Sequence, residues 1–278
     1  MPRQLPAFAV GLAYLLLPAS GVAEARGAIT DLTTWTQIQD PPNPNFTASA
    51  TSSQATLLAG NGAITSGTDI GYKSVNGLTP ALSTAGHAFD PSSTFSVAVD
   101  FNMTFANAPT GALAIGFGIG EDGDGANSAG AVMFTSNGSP QFFFGAAARV
   151  NDVNQPAGVI PVTASLSGTL FASYDATSGN VTLGAAPAMS AAAPTGTALY
   201  PAIQNSWAGG DLLASFFLRS DATLGPAWQG GNAQAVFSNF RVLSGSPIAI
   251  VPEPSGLAIC LVSIVAAASL RRRRRAPR

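Results

Sequence analysis

Between Thr94 and Phe105 the chain reads TFSVAVDFNMTF. Phe95, Val97, Val99, Phe101, Met103 and Phe105 fall on one side of this run, and Ser96, Ala98, Asp100, Asn102 and Thr104 on the other. A period of two held this long fits a half-buried β-strand and no helix. The next apolar run, GALAIGFGIG, puts Leu113, Ile115, Phe117 and Ile119 on one side and only Ala or Gly on the other, so its second face is closely covered or lies under another backbone. Joined through Asn107 to Gly111, the two runs are expected to pair as an antiparallel hairpin. The rhythm continues downstream. AVMFTSNGSPQFFFGA reads as two strands about an Asn137-Gly138 turn, and LFASYDATSGNVTLGA as two more about Ser178 to Asn180. ALYPAI, LLASFFLRS and AVFSNFRVLS complete the strand candidates. The sequence has no repeat of fixed period, which argues against a propeller or solenoid. Many short antiparallel strands with one buried face predict an all-β, two-sheet sandwich.

Both ends of the chain differ from this body. The N-terminus, MPRQLPAFAVGLAYLLLPASGVAEARG, has one early cation, Arg3, an apolar run from Leu5 to Pro18, and then small residues. This is the layout of a secretory signal peptide, with Ala23 and Ala25 as the small residues at the cleavage site, so residues 1–25 are expected to be removed by signal peptidase. At the other end, VPEPSGLAICLVSIVAAASLRRRRR places prolines around Glu253, an apolar stretch, and five consecutive arginines. Leu257 to Leu270 gives about 21 Å of helix, and counting from Pro254 about 25 Å, against about 30 Å of hydrocarbon. Arginine stems reaching outward make a thin bilayer spannable, and the cationic cluster stays on the cytoplasmic side. The expected layout is a signal peptide over 1–25, a sandwich ectodomain over 26–248, and a C-terminal segment over 249–278 whose residues 255–270 enter the inner membrane.

Export gives the cysteine and charge counts meaning. The single Cys260 lies in the C-terminal apolar stretch, so the ectodomain has neither a disulfide nor a thiol nucleophile. Residues 26–251 carry five basic side chains against twelve acidic ones, a formal charge of −7, which disfavours nucleic acid and other polyanions. A neutral glycan or a cation is the better-matched partner.

Pro252, Glu253 and Pro254, followed by an apolar span and then Arg271, Arg272, Arg273, Arg274 and Arg275, resemble the PEP-CTERM sorting signal of Gram-negative bacteria that make exopolysaccharide. The resemblance covers the last 28 or so residues. It implies processing near the motif by an exosortase, a membrane-embedded transpeptidase-like enzyme, and delivery to the cell surface or its polysaccharide matrix. Separately, VFSNFRVLSG (Val236 to Gly245) resembles the closing strand of concanavalin A-like jelly rolls, the lectin and glucanase superfamily, and implies that topology for the sandwich.

Catalytic patterns are sparse. Jelly-roll glucanases supply glutamates spaced along one strand, whereas this chain has only Glu24, Glu121 and Glu253, and neither Asp100 nor Asp175 has a second acid two or four residues away. His87 is the only histidine, no Gly-x-Ser-x-Gly elbow accompanies it, and a zinc site lacks ligands. The densest constellation is GIGEDGDGANSAG, where Glu121, Asp122, Asp124 and Asn127 offer hard oxygen ligands suited to Ca²⁺ without the EF-hand pattern. Its alternative is a solvated hairpin connection. Trp35, Tyr72, Tyr200, Trp207 and Trp228 sit in turn-like contexts where a ring either stacks on sugar or is buried at the sandwich edge. The expected function is a non-enzymatic surface or matrix protein that binds or organises extracellular polysaccharide. The alternatives are a ligand-free structural component and a glycan hydrolase or lyase.

Overall fold

The computed structural model describes residues 31–75, 78–79, 84–85, 87–106, 108–121 and 125–248. The signal-peptide, PEP and arginine-cluster assignments therefore lie outside the described residues, as do Asp122 and Asp124 of the acidic loop. Strands are numbered β1 to β18 in chain order. One sheet runs β1 (Thr36–Asp40), β4 (Asp69–Lys73), β17 (Leu212–Ser220), β9 (Ala112–Gly120), β10 (Ser128–Ser136), β11 (Ser139–Val150), β12 (Val153–Asn154), with β13 (Gly158–Thr163) on β11 and β7 (Ala88–Phe89) on β17. The other runs β16 (Gly196–Tyr200), β15 (Asn180–Ala186), β14 (Ser167–Asp175), β8 (Phe95–Phe105), β18 (Ala233–Ser244), β3 (Gln54–Ala59), β2 (Phe46–Ala50). The short β5 (Leu78–Thr79) and β6 (Thr84–Ala85) pair with each other. All pairing between these strands is antiparallel, and among the described residues the only helical pieces are 3-10 turns at Leu32–Thr34 and Ile203–Ser206. No helix among the described residues is long and apolar enough to cross a membrane.

The alternation in β8 does what its period dictates. Phe95, Val97, Val99, Phe101 and Met103 enter a core that they share with Leu113, Ile115, Phe117 and Ile119 of β9. Each fully buried phenylalanine contributes about 1.5–3 kcal/mol. Rings meet across the interior, with Phe216 stacked on Phe237 at 4.6 Å and Phe89 on Phe95 at 4.0 Å.

The expected β8–β9 hairpin does not form. β8 pairs with β14 and β18, while β9 pairs with β10 and β17 in the opposite sheet. Both strands carry an apolar face, and placing them in facing sheets turns those faces toward each other. The crossing is made by a connection in which Ala108 (φ 57°) and Gly111 (φ 100°) are left-handed. The other two hairpins form as expected. β10 and β11 meet at Asn137 (φ 48°) and Gly138 (φ 80°), the positive-φ pair of a type I′ turn, and β14 and β15 pair from Thr169↔Ala186 to Asp175↔Asn180.

Strand ends sort into two poles. The chain leaves the sandwich at one of them, where the Ile248 N–H donates to the Ala88 carbonyl at 2.8 Å. At the other, the β3–β4, β8–β9 and β17–β18 connections close around Trp228, whose indole N–H donates to the Gly60 carbonyl at 2.9 Å.

Candidate functional site

The outer face of the nine-stranded sheet is built from residues that face away from the core. On β9 these are Ala112, Ala114, Gly116, Gly118 and Gly120, as the one-sided apolar pattern of the sequence required. The missing side chains are replaced by neighbours. A Cβ on Gly116 would lie 2.3 Å from Phe217 Cζ, and one on Gly145 2.8 Å from Phe134 Cε2, so each glycine carries a ring from the adjacent strand. Gly118 lies against backbone instead, where a Cβ would meet the Ala129 carbonyl oxygen at 2.1 Å. Register then aligns a row of Ile38, Gly71, Phe217, Gly116, Val132, Gly145 and Val159 across seven strands... each residue directly opposite the next. Large and small residues alternate along it, leaving a low apolar strip.

Polar side chains border the strip. On one side Lys73, Ser215, Gly118, Gly130 and Ala147 form the next row, with Ser128 opposite Arg149 beyond it. On the other side Asp40, Asp69 and Arg219 stand directly opposite one another in that order. Lys73, Arg149 and Arg219 thus share this face. Burial pushes the Asp69 carboxyl up to about 6, against the pull of the Arg219 guanidinium and with the help of the Asp40 charge. Directly opposed strand residues have Cβ atoms about 4.5–5.5 Å apart, so Asp40 and Asp69 form a carboxyl pair that spacing along the sequence does not reveal.

Two phenylalanines extend the apolar surface. Between Met133↔Phe144 and Thr135↔Pro140, the β11 residues Gln141, Phe142 and Phe143 stand against Phe134 alone. This bulge leaves Phe142 80% and Phe143 55% exposed.

Of the acidic-loop residues, Glu121 and Asn127 are brought together. The Asn127 amide donates to Glu121 Oε2 at 3.1 Å, and its Oδ1 accepts the Asn151 N–H at 2.7 Å. The Glu121 carboxylate accepts the successive N–H groups of Ala208 (2.6 Å), Gly209 and Gly210 (2.9 Å). The two residues thus tie the β9–β10 connection to those after β11 and before β17. Among the described residues no group of three or more metal-ligating side chains gathers.

Asp100 lies on the outer face of the seven-stranded sheet, 1% exposed. It accepts from Thr169 Oγ1 (2.7 Å), Ser190 Oγ (3.1 Å), Asn239 Nδ2 (2.9 Å) and Arg241 (3.0 Å). Burial pushes its carboxyl up, but the hydrogen bonds outweigh this and hold it below the ordinary carboxylate value. Arg241 also donates to the Ala191 carbonyl at 2.6 Å, so this cluster fastens the β15–β16 connection over the sheet. His87 is 1% exposed between Trp35 and Phe240, and desolvation lowers its pKa to about 4. It is a neutral core residue. Trp35, Tyr72, Tyr200, Trp207 and Trp228 are all buried.

No protein-family model matches the chain, and no curated protein matches it. Among solved structures, it is similar to a GH16 protein of the Bacteroides ovatus mixed-linkage glucan PUL in complex with product (12% identity, 76% of this chain and 95% of that one, TM-score 0.45). It is also similar to an alginate lyase from Pseudomonas aeruginosa (14%, 78% and 100%, TM-score 0.45) and to the carbohydrate binding module CBM66 from Bacillus subtilis (14%, 78% and 99%, TM-score 0.40). The all-β, antiparallel, two-sheet architecture is established by the chain's own strand pairing.

Proposed function

We propose that this chain is an exported protein, sorted by an exosortase through its C-terminal segment, whose sandwich is a concanavalin A-like jelly roll that associates with extracellular polysaccharide. The observation that carries the binding reading is the strip from Ile38 to Val159 on the outer face of the nine-stranded sheet. Sugar rings have apolar C–H faces and hydroxyl edges. A polymer laid along this strip would rest its C–H faces on Phe217 and the ring of Phe134, with Lys73, Ser215 and Arg219 within reach of its hydroxyls. The sorting half of the proposal draws on Pro252 to Pro254 and the arginine cluster, and it makes the inner membrane a way-station before the cell surface or matrix.

Co-sedimentation with the producer's own polysaccharide tests the binding half. Wild-type protein should pellet with the polymer, and Phe217→Ala with Phe134→Ala should weaken this about tenfold while the variant keeps the wild-type far-UV circular dichroism and a cooperative, if lower, melting transition. No co-sedimentation of the wild type would leave a ligand-free structural component instead. Replacing Pro252, Glu253 and Pro254 with alanine should hold the protein in the membrane fraction.

A second reading, glycan hydrolysis, has one observation in its favour: the opposed Asp40 and Asp69, with Asp69 raised toward the range of a general acid. Release of new reducing ends that disappears with Asp69→Asn would establish it.

A further inference from the structure

The pole opposite the chain's exit carries a cleft of about 380 Å³, near the lower end of the ~300–1,000 Å³ typical of small-molecule sites. Its polar lining is Asn61, Thr110, Gln229 and Asn232, and its floor is Gly230 and Gly231. The remaining lining residues are alanines, so among the described residues no ionisable side chain faces the cleft, although the ectodomain sequence carries a net charge of −7.

The cleft is held rigidly. Thr110 N–H donates to the Gly230 carbonyl and Gln229 N–H to the Thr110 carbonyl, both at 2.9 Å, and Ala106 N–H reaches the Asn232 carbonyl at 2.9 Å. Asn61 Oδ1 accepts the Gly231 N–H at 3.3 Å. Below them Trp228 is fully buried, with its N–H on Ser220 Oγ and its indole on Gly60. The backbone around the cleft is also sharply bent: Ala108 (φ 57°), Asn232 (φ 49°), Gly230 (φ 146°) and Gly231 (φ 101°) are all left-handed. A Cβ at Gly231 would lie 2.6 Å from Pro109 Cα. Left-handed non-glycine residues persist where surrounding contacts over-determine them, and they gather at ligand clamps. Among the described residues, neither Thr110 Oγ1 nor the Asn232 side-chain amide makes a hydrogen bond. Both side chains are exposed, so a ligand hydroxyl would displace water from them without breaking a bond within the protein.

We propose that this cleft between the β3–β4, β8–β9 and β17–β18 connections is a second binding site, selective for an uncharged, hydroxyl-rich ligand such as the end or a short stretch of a neutral glycan. Amides and a threonine hydroxyl each donate and accept, which matches hydroxyls that do the same. A carboxylated or sulfated sugar finds no cation on this lining to pair with and meets a domain of net charge −7, which disfavours it relative to a neutral one. The site shares no residue with the outer-face strip, so the two can fail separately.

Calorimetric titration of the full chain tests this, with cello-, manno- and xylo-oligosaccharides against oligogalacturonate. At least one neutral series should bind, oligogalacturonate should not bind at this site, and the neutral affinity should be indifferent to added NaCl. Asn232→Gly keeps the left-handed backbone while removing the amide. Combined with Thr110→Ala it should weaken neutral binding at least about tenfold with the melting temperature held. Phe217→Ala should leave it unchanged. Binding that survives the cleft variant, binding that collapses with salt, or no neutral binding at all overturns the proposal. If polysaccharide still co-sediments in a manner sensitive to Phe217 while the cleft variant is silent, the outer-face reading stands and this one fails.

Discussion

Removing the Asp100 carboxylate leaves Arg241 half-enclosed beneath the β15–β16 connection without its counter-charge, and strands the donors of Thr169, Ser190 and Asn239. Asp100→Ala is expected to cost about 3 kcal/mol, read from urea unfolding at neutral pH. Because hydrogen bonds hold the folded-state pKa below its ordinary value, that contribution is present above the unfolded pKa of about 3.9 and is lost as pH falls through the folded one. His87 acts at higher pH. Its folded pKa of about 4 lies below the unfolded 6.5, so the unfolded chain binds the proton first and stability falls as pH drops from about 6.5 to about 4. The full difference is about 3 kcal/mol. Asp69, raised to about 6, works in the opposite sense across nearly the same window, losing stability as pH rises. The comparison of wild type with His87→Leu therefore isolates the histidine: their stability difference should shrink or reverse toward pH 4, and a pH-independent difference would contradict a buried neutral imidazole.

At the scale of elements, β9 is the strand that tolerates least. Gly118 faces Gly130 across the β9–β10 pair, and a methyl group there would sit 2.1 Å from the Ala129 carbonyl oxygen and 2.6 Å from Gly130 Cα. Gly118→Ala must push the two strands apart, and about 1–3 kcal/mol of destabilisation is expected in thermal or urea unfolding. Gly210→Ala is the control. Its nearest contact would be Glu121 Cβ at 3.9 Å, its N–H stays on the Glu121 carboxylate, and it should change stability little. The strand character of β8, β9, β10, β14, β17 and β18 was legible because alternation is a property of neighbouring residues. The partner of β9 was not, since a short connection containing Pro109 and Gly111 is compatible with a hairpin or a crossing, and the choice depends on which apolar faces lie opposite. The bulge that displays Phe142 and Phe143 was hidden for the same reason: it exists only relative to the register of β10.

Across the whole molecule one hydrophobic cluster joins both sheets and includes Trp35, Trp207 and Trp228. Unfolding followed by tryptophan fluorescence and by far-UV circular dichroism should therefore give coincident single transitions. Separate transitions would mean that the poles come apart independently. The sequence alone determined that the body is an antiparallel sandwich and that its tryptophans and tyrosines had to choose between core and ligand. It also showed that His87 is the chain's single histidine and that no Gly-x-Ser-x-Gly elbow accompanies it, because composition and period are local quantities. Tertiary structure decided what stands beside what. It set Asp40 against Asp69, laid Phe217 over Gly116, turned Glu121 onto three backbone N–H groups, and closed an uncharged cleft from three distant connections. Each of these depends on strand register and sheet order, and both are fixed only when two apolar faces find a common core.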